Sequence, residues 1–314
     1  MLNFSSRSTD GSSRKDIPRI AQILRDSQFD ILAIQEILDR EALDSLLGAL
    51  GPDRYKGSWA ISPKFIGGKD VSREGSAFIW NNDRICLSQQ FHHGKKVDVE
   101  PFFLTVLPPG GESPSTRICE QLERDPYIGI FKTRNAPYVE LRLINTHILF
   151  GDSQSSGWVS LRDLEFRVLV ERVYPWISDQ VYLRNMSGVL FRGGLPFYTI
   201  LLGDYNLNIG KPPFVRSLVV LDDGRRKRAI ITVQDKDSTL KKPPRDPSSP
   251  DENLNNYWMN NYDHFSIDAE RFDDVSLRAN RMDSVKYCKD YIEHQKLISD
   301  HVPIFLDLDF RNES

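Results

Sequence analysis

In Thr199–Asn208, TILLGDYNLN, a run of branched apolar residues stops at Gly203 and gives way at once to polar ones. Thr199 to Leu202 has the length and composition of a strand at the centre of a sheet covered on both faces. Gly203 breaks the run, and the chain then emits Asp204, Tyr205 and Asn206. A carboxylate and a carboxamide two residues apart, just past a strand end, project from a rigid platform of the kind that carries binding and catalytic groups. An Asp/Asn turn without chemistry is an equal alternative for this stretch taken alone.

The pattern recurs on both sides. Phe29–Gln35 (FDILAIQ) ends in Glu36, and Tyr138–Ile144 (YVELRLI) ends in Asn145-Thr146-His147. Asp300-His301 immediately precedes the apolar run Ile304–Leu308. Further strands are expected at Leu2–Phe4, Trp59–Ile61, Ser76–Trp80, Phe102–Val106, Tyr127–Lys132 and His264–Ile267, with apolar segments at Phe214–Leu221 and Ala229–Val233. Asn81-Asn82-Asp83 reads as a hairpin turn. Helical spacing marks Ile17, Ile20, Ile23 and Leu24 after a start at Asp16-Ile17-Pro18, then Glu41–Leu50 and Val159–Ile177. Ser5–Ser13 and Pro108–Ser115 are loops by composition, and Leu240–Asn256, dense in Pro, Ser, Asn and charge, is expected to be a mobile one. No internal repeat or domain linker appears among the 314 residues, so a single body is expected.

Composition narrows the function. Apolar residues at 39% and charged residues at 27% describe an ordinary globular protein able to bury a core. A net charge of −3 gives no global attraction to nucleic acid, so binding a polyanion needs a local basic face or bound cations. The basic runs, Arg225–Arg228 and Lys241-Lys242, read first as solvated loops. Cys86, Cys119 and Cys288 are scattered and odd in number, which excludes a disulfide framework and a zinc spacing. The N-terminal residues lack an apolar leader, and no stretch approaches the roughly 18 apolar residues of a membrane span. A cytoplasmic protein with no membrane association is the expectation, and no protein partner is inferable.

Each polar strand end has a plain structural reading. Glu36 can open the helix that follows, His147 can be a satisfied core histidine, and Asp300-His301 can be a turn. These do not explain why acid, amide and imidazole recur at one place in the topology. Oxygen ligands with few imidazoles and no thiolates suit a hard cation, Mg²⁺ or Mn²⁺. Histidines beside such a cation suit acid–base chemistry on a phosphate ester.

The set resembles the endonuclease/exonuclease/phosphatase superfamily with its DNase I-like fold. The family's motifs stand here as Asn3 in the first strand, QE at Gln35-Glu36, NTH at Asn145–His147, GDYN at Gly203–Asn206 and SDH at Ser299–His301. RDPY at Arg124–Tyr127 and YDH at Tyr262–His264 agree with the DNase I-like subset. The motifs run from residue 3 to 301, nearly the whole chain. The resemblance implies an α/β fold, a four-layered α/β sandwich with two mixed β-sheets face to face flanked by helices. It also implies one domain over residues 1–314, with extra sequence near 179–196 and 240–256.

By the same resemblance, Glu36, Asn3 and Asp300 are metal ligands, with Mg²⁺ or Mn²⁺ as cofactor. His301 is the base that activates water, with Asp263 orienting it. Asp204 and Asn206 orient the phosphate and the nucleophile. His147, oriented by Glu74, donates to the phosphate, and Arg124 contacts a phosphate oxygen. The bland alternatives are a solvated Glu74, a turn-capping Asp263 and a surface pair of Arg124 with Glu123 or Asp125. The implied activity is a metal-dependent nuclease acting on DNA. A phosphatase or phosphodiesterase acting on a nucleotide, sugar phosphate or lipid headgroup is the alternative, and a catalytically silent binding module is the second.

Overall fold

The computed structural model describes residues 15–62, 74–92, 95–105, 122–151, 156–179, 195–209, 217–222, 226–243 and 257–310. Asn3, the Leu2–Phe4 strand, the Ser5–Ser13 and Pro108–Ser115 loops and most of the two expected insertions lie outside these residues.

Helix α1 (Ile17–Ser27) begins where the Asp16 carboxylate accepts from the Arg19 amide at 3.0 Å, with a proline in its first turn. Strand β1 (Ile31–Ile37) follows, then α2 (Arg40–Leu50), β2 (Tyr55–Ile61) and β3 (Gly75–Asn81). The cap of α2 is Asp39, accepting from Ala42 N at 2.8 Å, so Glu36 does not open that helix. These strands form a three-stranded sheet in the order β1-β3-β2.

After β4 (Ile85–Leu87), β5 (Gln89–His92), β6 (Lys95–Asp98) and β7 (Phe102–Phe103) come β8 (Tyr127–Thr133) and β9 (Glu140–His147). Helix α3 (Ser156–Val168) runs through a wider π turn at Leu169–Val173 into α4 (Tyr174–Ser178). Strands β10 (Phe197–Asp204), β11 (Ser217–Asp222), β12 (Arg226–Thr232) and β13 (Asp263–Asp268) complete a mixed sheet ordered β11-β12-β13-β10-β9-β8-β4, with β7 also on β8. In this sheet β9 and β10 are parallel, with Asp204 opposite His147, while β13 runs antiparallel, with Asp263 opposite Asp204. The chain ends in β14 (Val275–Arg281), α5 (Tyr291–Leu297) and β15 (Ile304–Phe310).

Alternation along the central strands sorts the apolar residues into three layers of core. On β3, Ala77 and Ile79 face α1 and α2, whereas Phe78 and Trp80 face the second sheet. On β9 and β10, Leu141, Leu143, Ile200 and Leu202 meet them from the other side, and Ile144 and Leu201 pack beneath α3 and α4. Helix, sheet, sheet and helix therefore stack in four layers.

Four expectations are corrected. Asn81–Asp83 does not close a hairpin. Strand β3 pairs with β1 and β2, and β4 pairs with β8, so this turn carries the chain from one sheet to the other. Trp80 and Ile85 share the core between the sheets, which ties the crossing from both ends. The basic run at Arg225–Arg228 is not a solvated loop along its described length, because Arg226–Arg228 lies in β12 and the buried Arg228 pairs with Asp179. Leu240 is not the start of a free loop, since it bridges to Trp258 and is buried with Val285 and Tyr291. The edge strand expected at Phe102–Val106 is two residues long, and Val106 lies outside the described residues.

At Gly203 φ is +134°, and a Cβ would lie 1.9 Å from the Thr146 carbonyl oxygen of the adjacent parallel strand. Gly203→Ala is expected to lower unfolding stability by about 3 kcal/mol, through backbone strain and steric overlap together. A urea melt checks this, and an unchanged midpoint would contradict the close approach.

Candidate active site

The C-terminal end of the parallel pair β9–β10 gathers most of the polar residues picked out above. Glu36 reaches it from β1 through a local irregularity. The pairing of β1 with β3 shifts between Ile34 and Ile37, and Glu36 sits there with φ +61°. Asn206 has φ +51°, which Asn tolerates better than most residues. Two of the three non-glycine residues with positive φ among the described residues are thus at this end, where backbone strain is commonly held for function.

Two groups of ligand-type atoms form, each within 4.8 Å of one another: Glu36, Glu74 and His147, and Asp204, Asp263 and His301. In the first group the His147 Nδ1–H donates to Glu74 Oε2 at 2.9 Å, and Arg124 Nη2 donates to Glu74 Oε1 at 2.6 Å. Glu74 is thus no solvated strand-start residue, and Arg124 pairs with it across the fold. Burial pushes the Glu74 carboxyl up, but the hydrogen bonds and charges of His147 and Arg124 outweigh this and hold it below its ordinary value. Burial pushes the His147 ring down against the pull of Glu74. It also pushes the Glu36 carboxyl up, with His147 opposing and Glu74 and Asp300 adding repulsion.

In the second group Asp263 Oδ2 accepts from His301 Nδ1 at 2.6 Å and from the Ser238 hydroxyl at 2.6 Å. With Nδ1–H held there, the neutral ring carries its lone pair on Nε2, which lies 3.9 Å from Asp204 Oδ2. Burial lowers the His301 ring, but Asp263 outweighs it and raises the ring above its ordinary value. Asp263 is driven down by His301 despite its burial, while burial and the Asp263 charge push the fully buried Asp204 up. Asp204 Oδ1 accepts from Asn206 N at 2.7 Å, and Asn206 Nδ2 donates to Ile148 O at 2.6 Å.

Asp300 stands apart from this grouping. It is exposed and belongs to neither group, although its charge reaches Glu36 and Lys15. Its backbone carbonyl is what the fold uses, accepting from Leu240 N at 2.8 Å. Tyr205, between Asp204 and Asn206, turns inward and donates to Leu201 O at 2.9 Å. His264 of the YDH motif is a buried structural residue, with Nε2 2.8 Å from Leu207 O and 2.9 Å from Asn261 O.

Sequence reasoning missed the groups that hold these side chains in place. Gln35 Nε2 donates to Asn145 Oδ1 between the sheets, and Asn145 Nδ2 donates to Ile34 O at 3.2 Å. Ser238 braces Asp263, and Thr239 bridges the backbone of His301. The amides lay within the QE and NTH motifs, so their signal was present. Ser238 carried none.

The donor set fits a hard divalent cation. Asp204 Oδ2 is buried without a hydrogen-bond partner among the described residues, and burial, with repulsion from Glu74 and Asp300 added, raises the Glu36 carboxyl, so each gains from an added cation.

No family model matches the chain. A deoxyribonuclease of Thioalkalivibrio sp. (strain K90mix) is 26% identical over 196 residues, covering 62% of this chain and 42% of that protein. The match therefore spans less than half of the relative. Among solved structures, ANGEL2, a 2′,3′-cyclic phosphatase in complex with adenosine-2′,3′-vanadate, aligns with a TM-score of 0.50 at 13% identity, covering 93% of this chain and 85% of that one. The human Nocturnin catalytic domain aligns with a TM-score of 0.47 at 13% identity, covering 95% and 88%. The chain has the DNase I-like fold of the endonuclease/exonuclease/phosphatase superfamily.

A ligand that binds the folded state alone raises its stability. Mg²⁺ or Mn²⁺ is accordingly expected to raise the melting temperature of the metal-free protein, and Glu36→Gln to remove most of that rise. An equal rise in the variant takes Glu36 out of the cation site.

Proposed function

We propose that the chain is a divalent-metal-dependent phosphodiesterase that hydrolyses DNA. The observation that supports this best is the His301–Asp263 pair, which leaves Nε2 free beside Asp204 and close to a second carboxylate–imidazole group. In this reading His301 Nε2 takes the proton of the attacking water. Asp263 fixes the ring by its Nδ1–H and favours the imidazolium that forms. Asp204 and Asn206, pinned to each other and to Ile148, position the water and the scissile phosphate.

His147 works on the opposite side. Its Nδ1–H is held by Glu74, so the neutral ring has no proton to donate from Nε2. A bound phosphate adds the negative charge that favours the imidazolium, and Nε2–H then donates to it. Arg124, whose Nη1 is buried without a partner, supplies positive charge to a phosphate oxygen. Glu36 and Asp204 would hold the cation, which when bound supplies charge neutralisation at the phosphate. Asn3 and Asp300 remain candidates for the same role by resemblance.

DNA is favoured as substrate by the deoxyribonuclease relative and by the RDPY and YDH motifs. A small phosphodiester is the second reading, favoured by the net charge of −3. The two separate on a panel of plasmid DNA, single-stranded DNA, RNA, a nucleoside cyclic phosphate and bis-p-nitrophenyl phosphate with each metal. The DNA reading requires cleavage of plasmid or single-stranded DNA, and hydrolysis confined to the small esters supports the second reading.

A general base is worth about 10²–10⁴-fold, so His301→Ala is expected to lower turnover by about three orders of magnitude while the protein stays folded. Turnover within a few-fold of wild type would remove His301 from that role. The pH profile tests its partner. Activity needs neutral His301, whose proton affinity Asp263 raises, so kcat/KM climbs with pH through a limb above the ordinary imidazole value of 6.5. Asp263→Asn removes that charge and moves the limb to lower pH, with a lower plateau. A limb that stays in place counts against the pairing.

A further inference from the structure

Arg162 on α3 is only 4% exposed, and its Nε and Nη1 are buried with no hydrogen-bond partner among the described residues. Burying a guanidinium is costly unless something neutralises it. What it touches is aromatic: its Cζ lies 5.3 Å from the ring centroid of Phe150. The Phe150 ring is 6.1 Å from that of Tyr262, tilted by 56°, and is itself 39% exposed, an unusual state for a phenylalanine.

These three side chains border the site just described. Phe150 lies three residues past His147, in a segment fixed by Ile148, whose amide donates to Asp204 O at 2.9 Å and whose carbonyl accepts from Asn206. Tyr262 immediately precedes Asp263, and its carbonyl accepts from Tyr205 N at 2.8 Å. One turn beyond Arg162, Phe166 packs on the Tyr205 ring at 5.1 Å, which seats this face of α3 against the same strand end. Burial pushes the Tyr262 phenol up, Arg162 draws it back and Asp204 adds to the rise, so the phenol feels both charges. A cation without an ion pair among the described residues, under an exposed ring at the edge of a phosphate-type site, is placed to take an anion, and the ring to take a flat partner. A nucleotide unit supplies both.

We propose that Phe150, Tyr262 and Arg162 form the subsite for the nucleotide unit next to the scissile bond, with Arg162 pairing with the flanking phosphate and the two rings taking its base. Phe150 exchanges its place over the guanidinium for the face of the incoming base. This rests on reading the strand end as a phosphodiesterase centre, and it deepens that reading: the substrate is an oligonucleotide, recognised beyond the bond that is cut.

The test compares wild type with Arg162→Gln and Phe150→Ala on a tetrathymidylate and on bis-p-nitrophenyl phosphate, which has no flanking phosphate or base. Both variants are expected to lower kcat/KM on the tetranucleotide at least tenfold more than on the small ester, mainly through KM. Arg162→Lys is expected to recover part of the loss. Equal losses on both substrates, or none, overturn the subsite. Binding of a fluorescent tetrathymidylate in EDTA needs no turnover, and there both variants are expected to raise Kd at least tenfold. If wild type cleaves neither substrate, the phosphodiesterase reading falls while this binding measurement still decides the subsite. If Arg162→Gln fails to fold, Phe150→Ala decides it from an exposed position.

Discussion

A hydrogen bond between two buried amides, Gln35 on β1 and Asn145 on β9, joins the sheets across the apolar core, and a second bond runs from Asn145 to the Ile34 carbonyl. Everything at the strand end depends on this junction. It fixes β1 against β9, so the irregularity that follows in β1 delivers Glu36 beside His147. The pairing of β9 with β10 and β13 then sets Asp204 and Asp263 at the same level. Apolar packing alone tolerates sliding, whereas a buried polar tie does not, because breaking it strands unsatisfied groups in the core. The helix layers cover the outer faces, and the polar chemistry is left to one end of the sandwich.

At that end like groups are driven apart. Asp204 and Asp263 are both buried, yet one is pushed up and the other down, because His301 spends its Nδ1–H on Asp263. The two imidazoles diverge as well. His147 is held low by burial and His301 is held high by Asp263. Pairs of titratable groups with opposite shifts are how one site runs acid and base steps at a single pH. Asp204, whose Oδ2 has no hydrogen-bond partner among the described residues, faces the lone pair of His301.

Much of this was legible in the sequence. Apolar runs flanked by polar residues marked β1, β9, β10 and β15 and picked out Glu36, His147, Asp204, Asn206 and His301, while Asp263 came through the resemblance. Short motifs in the right order implied Glu74 and Arg124 through the resemblance. What failed had non-local causes. Asn81–Asp83 carries a good turn signal, but a turn does not reveal which sheet its two strands join. Val275–Arg281 was missed because polar residues fill much of its exposed face and mask the alternation. Asp300 is a separate case: its carboxylate is exposed while its backbone carbonyl accepts from Leu240 N, and it stays a cation-ligand candidate by resemblance. Arg162 gave no signal at all, because an arginine within a helical pattern reads as surface.

The opposed shifts of His301 and His147 are the most direct consequence of this arrangement, and they exist before any metal or substrate binds. Nitrogen-detected NMR titration of the imidazoles in metal-free protein measures both. The arrangement predicts that His301 titrates above 6.5 and His147 below it, with Nδ1 protonated in each neutral ring. Two rings titrating together near 6.5, or in the reverse order, would contradict it.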